Sequence, residues 1–270
     1  MSPAPSVPGT LPNHQLDSAT LHLPRILCLH GGGVNASIFQ AQARVLIRAL
    51  PGFRLVFAEG PYPSHPGPGI IPVYEFWGPF RRWLRWKPEH PPIDDDEASR
   101  AILDSLEMCK RRDPGTGPWV GLLGFSQGAK VAASVLYRQQ INMERGNRED
   151  SDSYRFAVLM AGRGPLVFLS TDPDAKCPPG LVLAGQVSTA NDPLPTRAPD
   201  VRLRLPTIHV HGLTDPGLYW HRDFLKRCHD PSTVTLVEWE GTHRIPLKQE
   251  TVRRIAGEIY RVAREEGVNV

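Results

Sequence analysis

The stretch Gly124-Phe-Ser-Gln-Gly128 follows the apolar run Trp119–Leu123 and precedes a segment rich in small residues that extends to Gln140. The apolar run predicts a buried strand, and the segment after it predicts a helix. A serine between two glycines at a strand-to-helix turn is typical of a nucleophile elbow. In such a turn the backbone of the serine is strained, and the flanking glycines leave room for the neighbouring strand and helix. The free N–H groups of the helix N-terminus favour negative charge at that point.

The same alternation of apolar runs and helical patterns extends through the chain on both sides of this turn. It predicts an α/β fold in which a mostly parallel central sheet of about six strands is flanked by helices. The other strands are expected at 25–30, 53–58, 156–160, 207–211 and 233–239. Helices are expected at 36–50, 94–112, 128–140 and 217–228, and a final amphipathic helix carries Val252, Ile255, Ala256, Ile259 and Ala263.

The composition indicates a folded globular protein. Of the 270 residues, 40% are hydrophobic and 22% are charged, and the formal net charge is +3. This charge balance gives no reason to predict nucleic-acid binding. No apolar run approaches the ~18 residues that a membrane-spanning helix needs, and a secretory signal pattern is missing. Four scattered cysteines show no metal or redox spacing, so we expect a cytoplasmic protein that does not bind membranes.

Proline is unusually frequent, with 28 residues against a typical share of roughly 5%. Five prolines within residues 1–24 predict a disordered leader, which leaves 25–270 as a single domain. A second dense region, 61–92, contains half of the six tryptophans and predicts a long loop on the substrate side. A third region, 171–201, is rich in Pro, Gly, Ser, Thr and Asp and predicts an irregular excursion.

A serine hydroxyl needs a base, and the base needs an orienting acid. In the predicted fold these residues follow one another in the order serine, acid, histidine. His243 lies between the last strand and the last helix, and Asp215 follows the fifth strand, so we expect them to act with Ser126. The weaker candidates for the acid are Asp223, Asp230 and Glu238, because none lies just beyond the end of a strand. His209 and His211 lie on or at the end of a strand, where we expect structural roles.

An oxyanion hole should complete such a site. One backbone N–H is expected from Gln127 and the other from Gly32 in the loop after the first strand, with Gly33 as second choice. A phosphate cradle would need a different glycine pattern. The acidic run Asp94–Glu97 is expected to stabilise a helix N-terminus rather than to bind a metal. No metal or cofactor is expected.

These motifs together resemble the α/β-hydrolase superfamily, and more narrowly the fungal serine hydrolase family that includes stand-alone thioesterases and esterases of polyketide clusters. The resemblance covers about residues 25 to 265. It rests on the motifs Ile26–Phe39, Glu59–Pro61, Trp77–Phe80, Arg82–Trp86, Gly124–Ala129, His209–Pro216 and Gly241–Pro246. It implies a triad of Ser126, Asp215 and His243, which are also the residues chosen above. It further implies that the substrate is an acyl thioester. The partner would be the acyl-carrier domain of a polyketide synthase, from which the acyl chain is released. Thr242 is a mild departure at a position where small residues are expected.

The loop 61–92 is expected to border the acyl pocket. Its apolar surface would come from Tyr74, Phe76, Trp77, Phe80 and Trp83. Arg82 and Arg85, with Arg81 and Lys87, would meet an acidic carrier domain or a pantetheine phosphate. Alternatively, this is a solvated basic loop that its tryptophans anchor. Two other functions stay open: a carboxylesterase for small esters, and a non-catalytic binding protein with a hydrolase fold.

Overall fold

A computed structural model describes residues 18–146, 154–172, 174–187 and 202–270. Six strands form one fully parallel sheet in the order β10-β9-β6-β5-β1-β2. They are β1 (Arg25–Leu29), β2 (Arg54–Ala58), β5 (Trp119–Phe125), β6 (Phe156–Met160), β9 (Thr207–Gly212) and β10 (Val234–Trp239). The helices are α1 (Ala36–Gln42), α2 (Arg44–Ala49), α3 (Asp95–Arg112), α4 (Gln127–Glu144), α5 (Leu218–Cys228) and α6 (Gln249–Glu265). The predicted α/β fold is confirmed.

The two faces of the sheet carry separate hydrophobic layers. On β1, Leu27 and Leu29 pack with apolar residues of α3, α4 and α5, whereas Ile26 and Cys28 pack with residues of α1, α2 and α6. Successive side chains of a strand point to opposite faces, so a strand covered on both faces is apolar throughout. This burial explains why the sheet strands are continuous apolar runs in the sequence.

The helix boundaries follow local capping chemistry. Asp94 caps α3, because its side chain accepts hydrogen bonds from the amides of Asp96 and Glu97. The acidic run therefore lies at the helix N-terminus, as expected. The helix predicted at 36–50 is two helices, separated at Ala43. Asn35 caps the first of them through a hydrogen bond from the amide of Ile38.

The expected disorder up to residue 24 is wrong for residues 18–24, and residues 1–17 lie outside the described part. Thr20 accepts a hydrogen bond from the guanidinium of Arg54 at 2.9 Å. The carbonyl of Leu21 accepts one from the amide of Thr116 at 2.7 Å. These contacts attach the segment to the edge of the sheet. Proline density alone did not distinguish a packed segment from a free one.

The loop 61–92 contains a little regular structure. Strands β3 (Tyr62–Ser64) and β4 (Phe80–Arg82) pair antiparallel, and a 3-10 turn spans Glu75–Trp77. The third proline-rich region holds the two-residue strand β8 (Val182–Leu183), which pairs with β7 (Val167–Phe168). Residues 173 and 188–201 of that region lie outside the described part. All four cysteines are unpaired, and no described helix is long and apolar enough to cross a membrane.

Candidate active site

Ser126 lies at the carboxyl end of β5, in the turn that leads into α4. Its backbone has φ 55° and ψ −114°, a conformation that a residue with a Cβ rarely adopts. A Cβ on Gly124 would lie 2.3 Å from the carbonyl oxygen of Gly128, and a Cβ on Gly128 would lie 2.1 Å from that of Leu29. Both flanking positions therefore need glycine, and the serine is held above the sheet edge.

His243 connects Ser126 to Asp215 through two hydrogen bonds. Its Nε2 lies 3.0 Å from Oγ of Ser126, and its Nδ1 lies 2.7 Å from Oδ2 of Asp215. The three residues come from the ends of β5, β9 and β10, which meet at one edge because the strands are parallel. In the tautomer that fits, Nδ1–H donates to the carboxylate and Nε2 accepts from the serine hydroxyl. This geometry allows Ser126 to lose its proton as it attacks an acyl carbon.

Asp215 is buried and ionised. Burial by itself raises the pKa of its carboxyl group, but hydrogen bonds from His221 and His243 and from the amide of Gly217 outweigh that effect. The net result is a pKa well below the usual range of an aspartate. The negative charge that orients His243 is therefore present throughout the neutral range.

Sequence reasoning did not find His221, a second histidine on the same carboxylate. Its Nε2 lies 3.0 Å from Oδ2 of Asp215, and its side chain is fully buried. The residue lies in the first turns of α5, and its contact with Asp215 depends on how the preceding loop folds back. A histidine shortly after the acid is the only sequence signal, and that spacing is not specific.

His209, His211 and His229 form a buried group behind the site. Burial is the main cause that lowers the pKa of His211 to about 3 and that of His229 to about 4, and it takes the pKa of His209 well below its usual value. All three imidazoles are therefore neutral at neutral pH. For His209 and His211 this agrees with the structural role expected from the sequence.

The weaker candidates for the acid lie elsewhere. Glu238 accepts hydrogen bonds from Arg222 at the surface, and Asp230 caps a 3-10 turn through the amide of Ser232. Asp223 lies on α5 and forms a long ion pair of 3.9 Å with Arg227. None of these three is hydrogen-bonded to His243.

The glycine loop after β1 lies directly against the serine. A Cβ on Gly31 would lie 3.5 Å from Cβ of Ser126, and a Cβ on Gly32 would lie 3.5 Å from the side chain of Gln127. The amide of Gly33 already donates to the carbonyl of Arg81 at 2.9 Å, which rules out Gly33, the second choice for the oxyanion hole. As the first residue of α4, Gln127 has an amide without an acceptor inside its helix. The amides of Gln127 and Gly32 remain the predicted donor pair.

The proline- and tryptophan-rich loop is tied to both donor segments. The side-chain oxygen of Gln127 accepts from the amides of Trp83 and Leu84 at 2.7 and 3.1 Å. On the other side, Val34 and Arg81 form an antiparallel bridge that extends the β3–β4 pair. The loop, the glycine segment and the start of α4 are therefore one hydrogen-bonded unit.

The five predicted pocket residues have different environments. Trp83 is fully buried and donates through Nε1 to the carbonyl of His30 at 2.9 Å, so its expected role in lining the pocket is wrong. Phe76 is 90% exposed. The half-buried Tyr74, Trp77 and Phe80 pack against a small apolar cluster formed by Val34, Ile38 and Ile70. A surface cleft of about 450 Å³ between β2 and α3 contains none of the five.

The expected contact of Arg82 with a carrier domain is also wrong. Its side chain is 2% exposed, and its guanidinium lies 4.9 Å from the centre of the Tyr62 ring. Arg85 is half-buried and donates to the carbonyls of His90 and Gly185. A run of basic residues looks like a solvated surface in sequence, but here it passes through packed loop structure.

Within the described residues, Asp215, His221 and His243 are also the one group of three His, Cys, Asp or Glu side chains whose donor atoms lie within 4.8 Å of one another. Every one of these atoms takes part in the hydrogen bonds described above. Those bonds account for the convergence of the three side chains.

A parallel sheet with a serine at a strained strand-to-helix turn, a histidine and a buried aspartate defines the class of α/β-hydrolase-fold serine hydrolases. The fold matches a carboxylesterase from Bacillus cereus at 14% identity with a TM-score of 0.51, covering 89% of each chain. It also matches a hyperthermophilic esterase from Pyrobaculum calidifontis at 16% identity with a TM-score of 0.51, covering 90% of this chain and 76% of that one. At such identities these likenesses show the fold alone.

Sequence comparison is more specific. The sequence model of the family described as "Serine hydrolase (FSH1)" matches residues 19–255 of this chain. The chain is 51% identical over 268 residues to "Esterase mpl1" of Monascus purpureus, covering 97% of this chain and 84% of that protein. It is 52% identical over 260 residues to "Esterase citA" of Monascus ruber, covering 94% and 98%. The chain therefore belongs to the FSH1 serine hydrolase family, and it is an enzyme.

Proposed function

We propose that this serine hydrolase cleaves acyl esters and thioesters through an acyl-enzyme on Ser126. The observation that carries the proposal is the continuous hydrogen-bonded chain from Asp215 through His243 to Oγ of Ser126, at 2.7 and 3.0 Å. A binding function alone would not require a serine at a strained turn, directly before the free amides of a helix N-terminus. The family and the names of the relatives, which include "Esterase claE" of Penicillium crustosum, support the same reaction class.

The reaction has two half-reactions. In the first, Nε2 of His243 takes the serine proton while Oγ attacks the acyl carbon, and the amides of Gln127 and Gly32 stabilise the oxyanion. Each such donor is typically worth about 3 kcal/mol in the transition state. Collapse breaks the bond to the thiol or alcohol, which leaves with a proton from His243. In the second, water gives a proton to His243 and attacks the acyl-serine. The bond to Oγ then breaks, His243 returns the proton to Oγ of Ser126, and the acid is released.

The finer proposal concerns the substrate, an acyl chain bound as a thioester to the carrier domain of a polyketide synthase. It is supported by the resemblance to the fungal family that contains such releasing enzymes. A thiolate is a good leaving group, so protonation of it by His243 is less demanding than for an amide.

A carboxylesterase for small esters is the second candidate, and the burial of Arg82 favours it. With that guanidinium inside the protein, the predicted carrier-docking patch loses one of its two principal residues. The relatives named above are also called esterases.

Labelling with a fluorophosphonate tests the reaction class. We expect the wild-type protein to be labelled and the Ser126→Ala variant to remain unlabelled, with kcat on a p-nitrophenyl ester lowered about 10⁴-fold or more. A Ser134→Ala variant is a matched control that should still be labelled, because that hydroxyl is hydrogen-bonded to the carbonyl of Lys130 and the amide of Val167 and does not contact His243. A wild-type protein that is folded but unlabelled would contradict the proposal.

Three forms of one acyl group distinguish the substrate candidates: a carrier-bound thioester, an N-acetylcysteamine thioester and an ethyl ester. For the carrier function we expect kcat/KM on the carrier-bound form to exceed that on the small thioester at least about tenfold. Equal values would favour the small-ester candidate. Arg85→Glu should lower the carrier-bound rate selectively, and an unchanged rate would remove Arg85 from docking.

A further inference from the structure

Two imidazoles share one oxygen of the catalytic carboxylate. Oδ2 of Asp215 lies 2.7 Å from Nδ1 of His243 and 3.0 Å from Nε2 of His221. The other oxygen, Oδ1, accepts from the amide of Gly217 at 2.7 Å. The second ring nitrogen of His221, Nδ1, lies 2.9 Å from the carbonyl oxygen of Gly162, just beyond β6. His221 thus bridges the catalytic acid and a neighbouring strand end.

Both hydrogen-bond partners of His221 can only accept. A carbonyl oxygen has no proton to give, and an ionised carboxylate has none either. A neutral imidazole donates through one nitrogen only. Its unprotonated nitrogen would then face the oxygen of Gly162 or of Asp215 in a dry interior, and two acceptors in contact are costly there. Placing a proton on Oδ2 of Asp215 instead would compete with the hydrogen bond from His243.

We propose that His221 is an imidazolium that donates through both ring nitrogens, and that it acts as a positioning residue which orients Asp215 and places a positive charge beside His243. This inference rests on the proposed function. The rings of His221 and His243 are stacked with centroids 5.8 Å apart and an interplanar angle of 29°. A positive charge at that distance disfavours a second one on His243.

The groups that face His221 come from four other segments. Asp215 and His243 come from the loops after β9 and β10. His211 on β9 lies 5.7 Å away between ring centroids, and burial together with the positive charge of His221 lowers its pKa to about 3, so it is neutral. Arg163, after β6, is a second cation: a Cβ on Gly217 would lie 2.7 Å from its Nη2 and 3.0 Å from Cε1 of His221.

On its own helix, His221 has one charged neighbour in sequence, Arg222, whose guanidinium is paired with Glu238 at 2.7 Å on the outer surface. Among the described residues around His221, Asp215 is the one carboxylate that contacts it, and it faces His243 and the cations His221 and Arg163. This sharing reduces the stabilisation that Asp215 gives to a protonated His243.

The pH profile of kcat/KM on a p-nitrophenyl ester tests the electrostatic part. His221→Gln keeps an N–H donor but removes the charge. We therefore expect the acidic limb of the kcat/KM profile to shift to higher pH by about one unit. A matched control is His229→Gln, which changes a buried histidine on the far side of His209 from the triad and should leave the limb in place. A limb that does not move in His221→Gln overturns the charge assignment.

A second measurement needs no variant. In the wild-type protein labelled with ¹⁵N-histidine, both ring nitrogens of His221 should carry protons at pH 8, and one unprotonated nitrogen would overturn the proposal. Loss of activity on treatment with EDTA, restored by Zn²⁺, would also overturn it, because a metal ion requires a lone pair on Nε2. Failure of the proposed function would look different: the wild-type protein would not react with a fluorophosphonate.

Discussion

The side chain of Gln127 and the backbone of Leu84 are joined by two hydrogen bonds. Oε1 accepts from the Leu84 amide at 3.1 Å, and Nε2 donates to the Leu84 carbonyl at 3.2 Å. The residue that follows the nucleophile therefore has two functions in the proposed site. Its backbone amide is a proposed oxyanion donor, and its side chain fixes the loop after β4.

Gln127→Ala should weaken both the fold and the reaction. The amides of Trp83 and Leu84 lose their acceptor, and each unsatisfied group costs about 1–3 kcal/mol. We expect a lower urea midpoint and a fall of about tenfold in kcat/KM on a p-nitrophenyl ester. Gln127→Glu keeps the accepting oxygen but places its second oxygen against the carbonyl of Leu84, so it should recover only part of the loss. A Gln127→Ala variant that matches the wild type in both measurements would show that these hydrogen bonds do not position the loop.

Gly128→Ala should be among the most disruptive single-methyl changes in the chain. The added Cβ would lie 2.1 Å from a backbone oxygen of β1, so strand and helix must separate. We expect a loss of about 3 kcal/mol or more in the free energy of unfolding. Gly257→Ala in α6 meets nothing within 4 Å and should instead stabilise by about 0.5–1 kcal/mol. Denaturation of both variants tests this contrast, and similar midpoints would refute it.

Asp215→Asn should lower kcat about 10³–10⁴-fold, because an amide cannot stabilise the imidazolium of His243 and favours the wrong tautomer. The protein should still fold and bind substrate. Glu238→Gln removes a rival acid that forms a surface ion pair, and it should change kcat less than about twofold. Steady-state kinetics of the two variants decide between the acids, and a large effect of Glu238→Gln would reopen the assignment.

Acid should destabilise the protein already below a pH of about 6.5. Burial lowers the pKa of His211 to about 3 and that of His229 to about 4, below the ordinary value of about 6.5 for histidine, so the unfolded chain takes up these protons first. Stability should fall by about 1.4 kcal/mol per pH unit for each such histidine in this window. The pKa of Asp215 is lowered too, so the stability it contributes is present above about pH 4 and is lost below it.

Urea titrations at several pH values measure this slope. His229→Asn removes one buried titrating group and should reduce the slope by about one proton, since the asparagine amide can still donate to the carbonyl of Phe224. The exposed His65→Gln variant should leave it unchanged. A wild-type stability that is flat from pH 7 to 5 would contradict the buried, neutral state of these histidines.

The elements that position the triad were predictable because their signals are local. An apolar strand, a Gly-x-Ser-x-Gly turn and a helix of small residues occupy consecutive positions around Ser126. Asp215 and His243 were found because the ends of parallel strands meet at one edge. The break between α1 and α2 was missed, because the residues around Ala43 carry no proline or glycine.

The environments of single polar side chains were not predictable in the same way. His221 reaches Asp215 only because the loop after β9 folds back on α5. Arg82 is buried although its neighbours in sequence are basic, since the pairing of β4 with β3 places its guanidinium over the ring of Tyr62. The first outcome depends on the conformation of a short segment between two residues six apart in the chain, and the second on the pairing of two short strands. Hydrophobic periodicity encodes neither.

The bridge between Val34 and Arg81 also bears on how this enzyme can be re-engineered. That bridge and Gln127 fasten the proline-rich loop to both segments that carry the proposed oxyanion donors, so a loop from another protein needs matching residues at these anchors. A chimera with a relative should therefore exchange three pieces together, residues 31–34, residues 61–92 and position 127. Transplanting the long loop alone would alter the rate of the chemical step along with the choice of acyl group.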